Sequence, residues 1–197
     1  MSPGVHERSA ARLLAEPGLE HDEAQAALAA AFGMTSNPLA PRARLDEASL
    51  PLFGCGSRCV AAQATALADA LTNQLCLKPE RRDHRALLID HALAERSAHP
   101  LQIAVIGHEL GRRAGVSTFV ASYGGEFWTA VRGPEGLALV GAATIAGRPG
   151  AAEVRCRCPH QVAHAVLRQI EHAAPPEAAE KAARLLRSVP LSERPCP

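Results

Sequence analysis

The stretch from Pro100 to Val131, PLQIAVIGHELGRRAGVSTFVASYGGEFWTAV, decides how the chain is read. Its first half, Pro100 to Ala114, opens on a proline suited to a first helical turn and places Leu101, Ala104, Val105, Ile106 and Leu110 on most sides. Glu109, Arg112 and Arg113 interrupt that surface, so the segment is expected to be the central helix, largely buried. After Gly115 come short β-prone runs, Val116 to Ser122, Glu126 to Val131 and Leu137 to Gly141. They are separated by Tyr123-Gly124-Gly125 and Gly133-Pro134-Glu135-Gly136, which predicts an antiparallel meander.

Upstream, Ala and Leu recur at helical spacing from Val5 to about Ala15 and from Glu20 to Phe32, with Pro17-Gly18 between them, which predicts a helical hairpin. Met34 to Pro41 reads as a loop. Asp46 to Phe53, Ser57 to Leu77 with Ser57 as N-cap, and Asp83 to Arg96 read as amphipathic helices. Downstream, a last strand over Ala152 to Cys156 precedes helices over His160 to His172 and Pro176 to Ser188, and then a Pro-rich tail. The strand connections are too short for parallel crossovers, so the expected class is segregated α+β. In that class a helical N-terminal half and C-terminal helices surround a central helix on a small antiparallel sheet. The expected division is 1–41, 42–158 and 159–197 within one compact domain.

Of the 197 residues, 47% are hydrophobic but only 3% aromatic, so the core must be built from Ala, Leu and Val, which favours closely packed helices. With 21 basic and 20 acidic residues and no long charge block, no nucleic-acid or membrane partner is expected. No apolar run reaches the roughly 18 to 20 residues of a bilayer span, and the first residues lack a signal-peptide core, so a cytoplasmic location is expected. Cys55, Cys59, Cys76, Cys156, Cys158 and Cys196 are then expected to be mostly free thiols.

From Asp83 to about Gly147 the chain resembles the SirB-like transglutaminase-core family. Its members read Asp-Pro-Arg-Asn, then Arg-Arg-Gly-Ile-Pro, then a helix ending Arg-Arg-x-Gly, then Pro-Gly-His-Phe. Asp83 falls on the first motif, Arg96 and Pro100 on the second, Glu109, Arg112, Arg113 and Gly115 on the helix end, and Gly125 and Phe127 on the last. Order and spacing match without gaps through the central helix. The resemblance implies a transglutaminase-like fold, and with it a thiol nucleophile at the start of the central helix, an imidazole base and an orienting carboxylate. This chain departs at each position. Leu101 or Gln102 takes the nucleophile's place, Glu126 the histidine's, and Gly141-Ala142-Ala143 that of the family's Asp-Pro-Phe.

Several constellations carry chemistry. Tyr123, Glu126 and Trp128 bracket a Gly-rich turn at the family's active-site position, either lining a ligand cleft or simply filling core and facing solvent. His99 and Gln102 lie at the mouth of the same region. With Glu126 they could form a polar pocket in which His99 or Glu126 acts as base and Gln102 as hydrogen-bond donor. Cys156, Cys158, His160 and His164 carry soft ligands, the histidines one helical turn apart, which suits Zn²⁺; the alternative is ordinary burial with surface histidines. Cys55 and Cys59 flank a turn into a helix, either as reactive thiols or as small packing residues. His108-Glu109 lacks a second histidine, since Arg112 stands four residues on, so Glu109 is read as pairing with Arg112 and Arg113 at helical spacing.

The expectation is therefore a non-catalytic transglutaminase-like protein that binds a peptide, a protein partner or a small metabolite in a remodelled cleft, with no cofactor. The alternatives are a hydrolase or acyl/amide transferase with rebuilt acid/base or thiol chemistry, the thiol being Cys55 or Cys76, and a zinc-binding protein. Ala-rich amphipathic helices also make a homodimer plausible.

Overall fold

A computed structural model describes residues 4–34, 39–141, 145–146 and 153–189. Cys196, the Pro-rich tail, Ala142, Ala143, Ala152 and most of the loop expected before Pro41 lie outside them.

The fold is α+β. Among the described residues eight α-helices run α1 Val5–Leu13, α2 His21–Ala31, α3 Leu39–Ser49, α4 Val60–Asp69, α5 Ile89–Glu95, α6 Pro100–Arg113, α7 Pro159–Ala173 and α8 Pro176–Leu186. The strands are β1 Lys78–Pro79, β2 Ser97–Ala98, β3 Thr118–Tyr123, β4 Glu126–Gly133, β5 Gly136–Val140, β6 Ile145–Ala146 and β7 Arg155–Cys156. The last five form one antiparallel sheet in the order β6-β5-β4-β3-β7. The meander β3-β4-β5 and the central helix thus follow the sequence pattern closely.

Helix α6 seats on β3 and β4 and divides the interior. Ile103, Ile106 and Leu110 enter a cluster with Leu45, Leu67, Leu71, Leu93, Val131 and Val140. Leu101, Ala104 and Val105 enter a second one with Leu14, Leu28, Val120, Val162, Val166 and Ile170. The face toward the sheet is made of small residues. A Cβ at Gly107 would meet Thr129 Oγ1 at 2.2 Å, and one at Gly111 would meet Thr118 Cγ2 at 2.5 Å. The contact is also polar: Thr129 Oγ1 donates to the Ala104 carbonyl at 3.0 Å, and Thr118 Oγ1 to that of His108 at 3.1 Å. β-Branched threonines fit the strands, and their short hydroxyls reach helix carbonyls only because the helix presents glycine.

Four boundaries differ from the sequence expectation. α3 starts at Leu39 because Pro41 falls in its first turn, where a missing amide hydrogen costs nothing. It stops at Ser49 and gives way to a 3₁₀ turn Leu50–Leu52 around Pro51, so the expected helix Asp46 to Phe53 is displaced. Ser57 is not a helix cap: its Oγ donates to the Gly54 carbonyl at 3.1 Å within a 3₁₀ turn, and Cys59 caps α4 instead. Gln63 Nε2 pins that turn through the carbonyls of Gly56 and Arg58, at 3.0 and 2.7 Å. α4 then relaxes into a π-helical turn, Ala70–Gln74, rather than running straight to Leu77. The segment Asp83 to Arg96 is broken at Leu88, which is extended, into a 3₁₀ turn His84–Leu87 and α5.

Replacing Gly107 by Ala is expected to cost about 1–3 kcal/mol in denaturant unfolding through overpacking. Thr129→Ala costs about 1 kcal/mol through its lost hydrogen bond. The double variant should lose less than the sum, because the new methyl no longer meets a hydroxyl. Strict additivity would mean that helix and strand do not touch at this position.

Candidate functional site

The candidate site lies where the start of α6 meets the start of β4, and two local devices create it. The first is the two-residue turn Gly124-Gly125, both with positive φ (59° and 81°), which joins β3 to β4 and sets Glu126 opposite Tyr123. The second is a short parallel pairing of β1 with β2, in which Lys78 N donates to Arg96 O and Glu80 N to Ala98 O, both at 2.9 Å. This lays the segment carrying Arg81 along the chain that enters α6. Arg81 Nη2 then reaches Glu126 Oε2 at 2.9 Å across 45 residues of sequence.

His99 is the N-cap of α6. Its Nδ1 accepts from Leu101 N at 3.2 Å, its own amide donates to Ala86 O at 2.9 Å, and its carbonyl accepts from Ile103 N at 2.9 Å. Accepting at Nδ1 places the ring proton on Nε2, so the neutral ring carries its donor there. Burial, with Arg81 adding to it against the opposing pull of Glu126, lowers its pKa to about 4. His99 is therefore neutral near pH 7.

Gln102, in the first turn of α6, is fully buried, and neither of its amide atoms has a hydrogen-bond partner among the described residues. It makes no hydrogen bond to His99 or Glu126. Leu101, the other occupant of the family nucleophile's place, is also fully buried. Arg81 and Glu126 thus pair within electrostatic reach of His99, while Gln102 is buried in the first turn of α6.

Tyr123 and Trp128 take a different place. Thr129 points at α6, so Glu126 and Trp128 alternate to the opposite face of the sheet. There Trp128 and Tyr123 are half-buried around Ala121, Ala130 and Leu139, with Phe119, Leu137 and Val154. The buried Trp128 Nε1 has no partner. The expected aromatic lining of the α6 cleft is corrected accordingly: only Glu126, at the strand end, reaches round to it.

The four expected metal ligands are spread over two elements. Cys156 lies on β7 opposite Ala121, and Cys158 caps α7, where its amide donates to Gln161 Oε1 at 3.3 Å. His160 Nε2 donates to the Glu16 carbonyl at 3.1 Å, and His164 lies one turn on, its pKa lowered by burial and then by Arg168 against Glu171. Among the described residues, no group of three or more His, Cys, Asp or Glu side chains is gathered so as to hold a metal ion. Among the described residues no cysteine is in a disulfide; Cys55 is buried, and Cys76 Sγ sits 3.3 Å from the Asn73 carbonyl.

Two family positions have structural partners. Asp83 caps the 3₁₀ turn through Arg85 N at 2.9 Å and binds the Arg85 side chain, which holds its carboxyl below the ordinary range. Glu109, fully buried, accepts from Arg112 Nη2 at 2.8 Å and from Arg113 Nη1, the pairing expected from spacing. Arg81 was invisible to sequence reading, because its place depends on the β1–β2 pairing and no local motif marks it.

The chain matches no protein-family model, no curated protein and no solved structure. Among the described residues no helix is long and apolar enough to cross a membrane.

In a histidine titration followed by NMR, Arg81→Ala should raise the His99 pKa from about 4, and Glu126→Gln should lower it further. Equal values in all three proteins would show that the cluster is not coupled.

Proposed function

We propose that this protein is a SirB-like transglutaminase-core scaffold without thiol chemistry, which binds a peptide, a protein partner or a small polar metabolite in the cleft framed by Arg81, His99 and Glu126. One observation supports the reading above others. At the start of α6, where the family resemblance puts the nucleophile, Leu101 and Gln102 are sealed in the core, while Glu126, in the histidine's place, is held by Arg81. An ion-paired carboxylate beside a neutral, donor-presenting imidazole can orient a polar ligand but does not form a thiolate–imidazole pair.

The same geometry weighs against rebuilt acid/base chemistry. His99 spends its acceptor nitrogen on the helix cap, so it meets a ligand as a donor and not as a base. The proposed setting is the cytoplasm, with neither nucleic acid nor membrane as partner.

The test is a screen of short peptides and small amide and carboxylate metabolites, with hits mapped by backbone amide shifts. Hits should move residues 97–103 and 123–128. His99→Ala and Glu126→Gln should each weaken binding about tenfold, corresponding to about 1.4 kcal/mol. Hits that move only other regions, or that bind both variants unchanged, would contradict the proposal.

A further inference from the structure

Six of the eight buried side-chain polar atoms without a hydrogen-bond partner among the described residues lie on just two helices. On α2 they are His21 Nδ1 and both amide atoms of Gln25; on α6 they are both amide atoms of Gln102 and Glu109 Oε1. An unpartnered buried polar atom is costly, so this concentration marks α2 and α6 as helices whose burial is poorly compensated. The two helices pack on each other. Part of their contact is ionic: Asp22 of α2 lies 3.6 Å from Arg112 and 3.4 Å from Arg113. The rest is apolar, with Leu14 and Leu28 of the hairpin in one cluster with Leu101, Ala104 and Val105 of α6, and α2 packs on α5 and α7 as well.

Between the two helices stands a pair of imidazoles, His21 buried and His108 partly buried. His21 and His108 meet edge to face with ring centroids 5.0 Å apart. The Thr118 hydroxyl donates to the His108 carbonyl, so the 3.1 Å contact of the same oxygen with His108 Nδ1 requires the proton on Nδ1 and leaves Nε2 basic. His21 keeps its unpartnered Nδ1 inside the protein. Each ring is a base enclosed in a seam that already holds two arginines.

We propose that the α1–α2 hairpin is a cover that protonation of the His21–His108 pair releases from α6, opening the seam to solvent. Release of the hairpin does not depend on the binding function proposed above.

Burial, then His108 and Arg112, lower the His21 pKa to about 3, against a hydrogen bond to the Arg157 backbone. Burial likewise lowers that of His108, with Glu109 and Thr118 opposing and Arg112 and Arg113 assisting. The elements around the pair also carry Glu20, Asp22 and Glu23 on the α2 side, Arg42, Arg44, Asp46 and Glu47 on α3, Asp90, His91 and Glu95 on α5, Arg157 before α7, and His160, His164, Arg168, Glu171 and His172 on α7. Both pKa values lie below the free value of 6.5, so the released state binds more protons. Docking is therefore strongest above about pH 6.5 and weakens as the pH falls, by up to about tenfold per pH unit from His21 down to about pH 3, with His108 acting in the same direction.

The experiment is hydrogen exchange of the full chain between pH 7.5 and 5, read by mass spectrometry and normalised for intrinsic rates. Residues 5–31 should lose at least tenfold in protection while residues 103–113 and 118–140 keep theirs. In the variant His21→Gln with His108→Asn, whose amides replace the ring donors without titrating, hairpin protection should stay flat. If that double variant does not fold, each single change should remove part of the slope. Hairpin protection independent of pH, loss in step with the sheet, or an unchanged slope in the variants would overturn the proposal. Release without any ligand mapping to the cleft would leave the cover standing and remove the binding function instead.

Discussion

The seating of α6 on β3 and β4 is the constraint on which the rest of the structure depends. A helix approaches a sheet this closely only where its facing residues are small, and Gly107 and Gly111 supply that. Thr118 and Thr129 fill the space and hydrogen-bond to helix carbonyls, converting a steric fit into a fixed height and rotation. Once the rotation is set, the sides of α6 face two apolar clusters, and its N-terminus is delivered to the start of β4.

The opposite side of the same helix carries its polar residues. Glu109 is buried and pairs with the exposed Arg112 and the largely covered Arg113, and through Arg113 the cluster reaches Asp46 on α3 and Asp22 on α2. Such buried ion groups add little net stability over apolar packing, but removing one partner strands a charge and is costly. The cluster therefore acts on specificity: it admits one arrangement of α2 and α3 around α6, in a core whose alanine-rich surfaces would otherwise tolerate several.

The central helix, the three-stranded meander and the terminal helices were legible because their signals are local: a proline at a helix start, an apolar period, a Gly-Gly turn. The Glu109 pairing was legible for the same reason, since its partners lie three and four residues away. What sequence reading missed is non-local. Pro41 looked like a loop residue because a first-turn proline and a turn proline are chemically alike. Arg81 could not be connected with Glu126, 45 residues distant, without the β1–β2 pairing. For Trp128 the sequence left a cleft lining and a core position open, and strand alternation with the Thr129 contact puts it on the face away from α6. The cysteine and histidine cluster was compact in sequence, yet strand β7 and helix α7 spend its members on pairing, capping and a carbonyl contact.

Where the family resemblance calls for a thiol, an imidazole and a carboxylate, this chain has sealed apolar and amide side chains and an arginine-bound glutamate, and the account rests on that replacement. The most direct measurement is alkylation of the native full chain by chloroacetamide at neutral pH, followed cysteine by cysteine in mass spectra against the urea-unfolded chain. The account predicts that no native cysteine is alkylated faster than its unfolded counterpart. A single cysteine reacting orders of magnitude faster would contradict it and return the protein to the thiol enzymes.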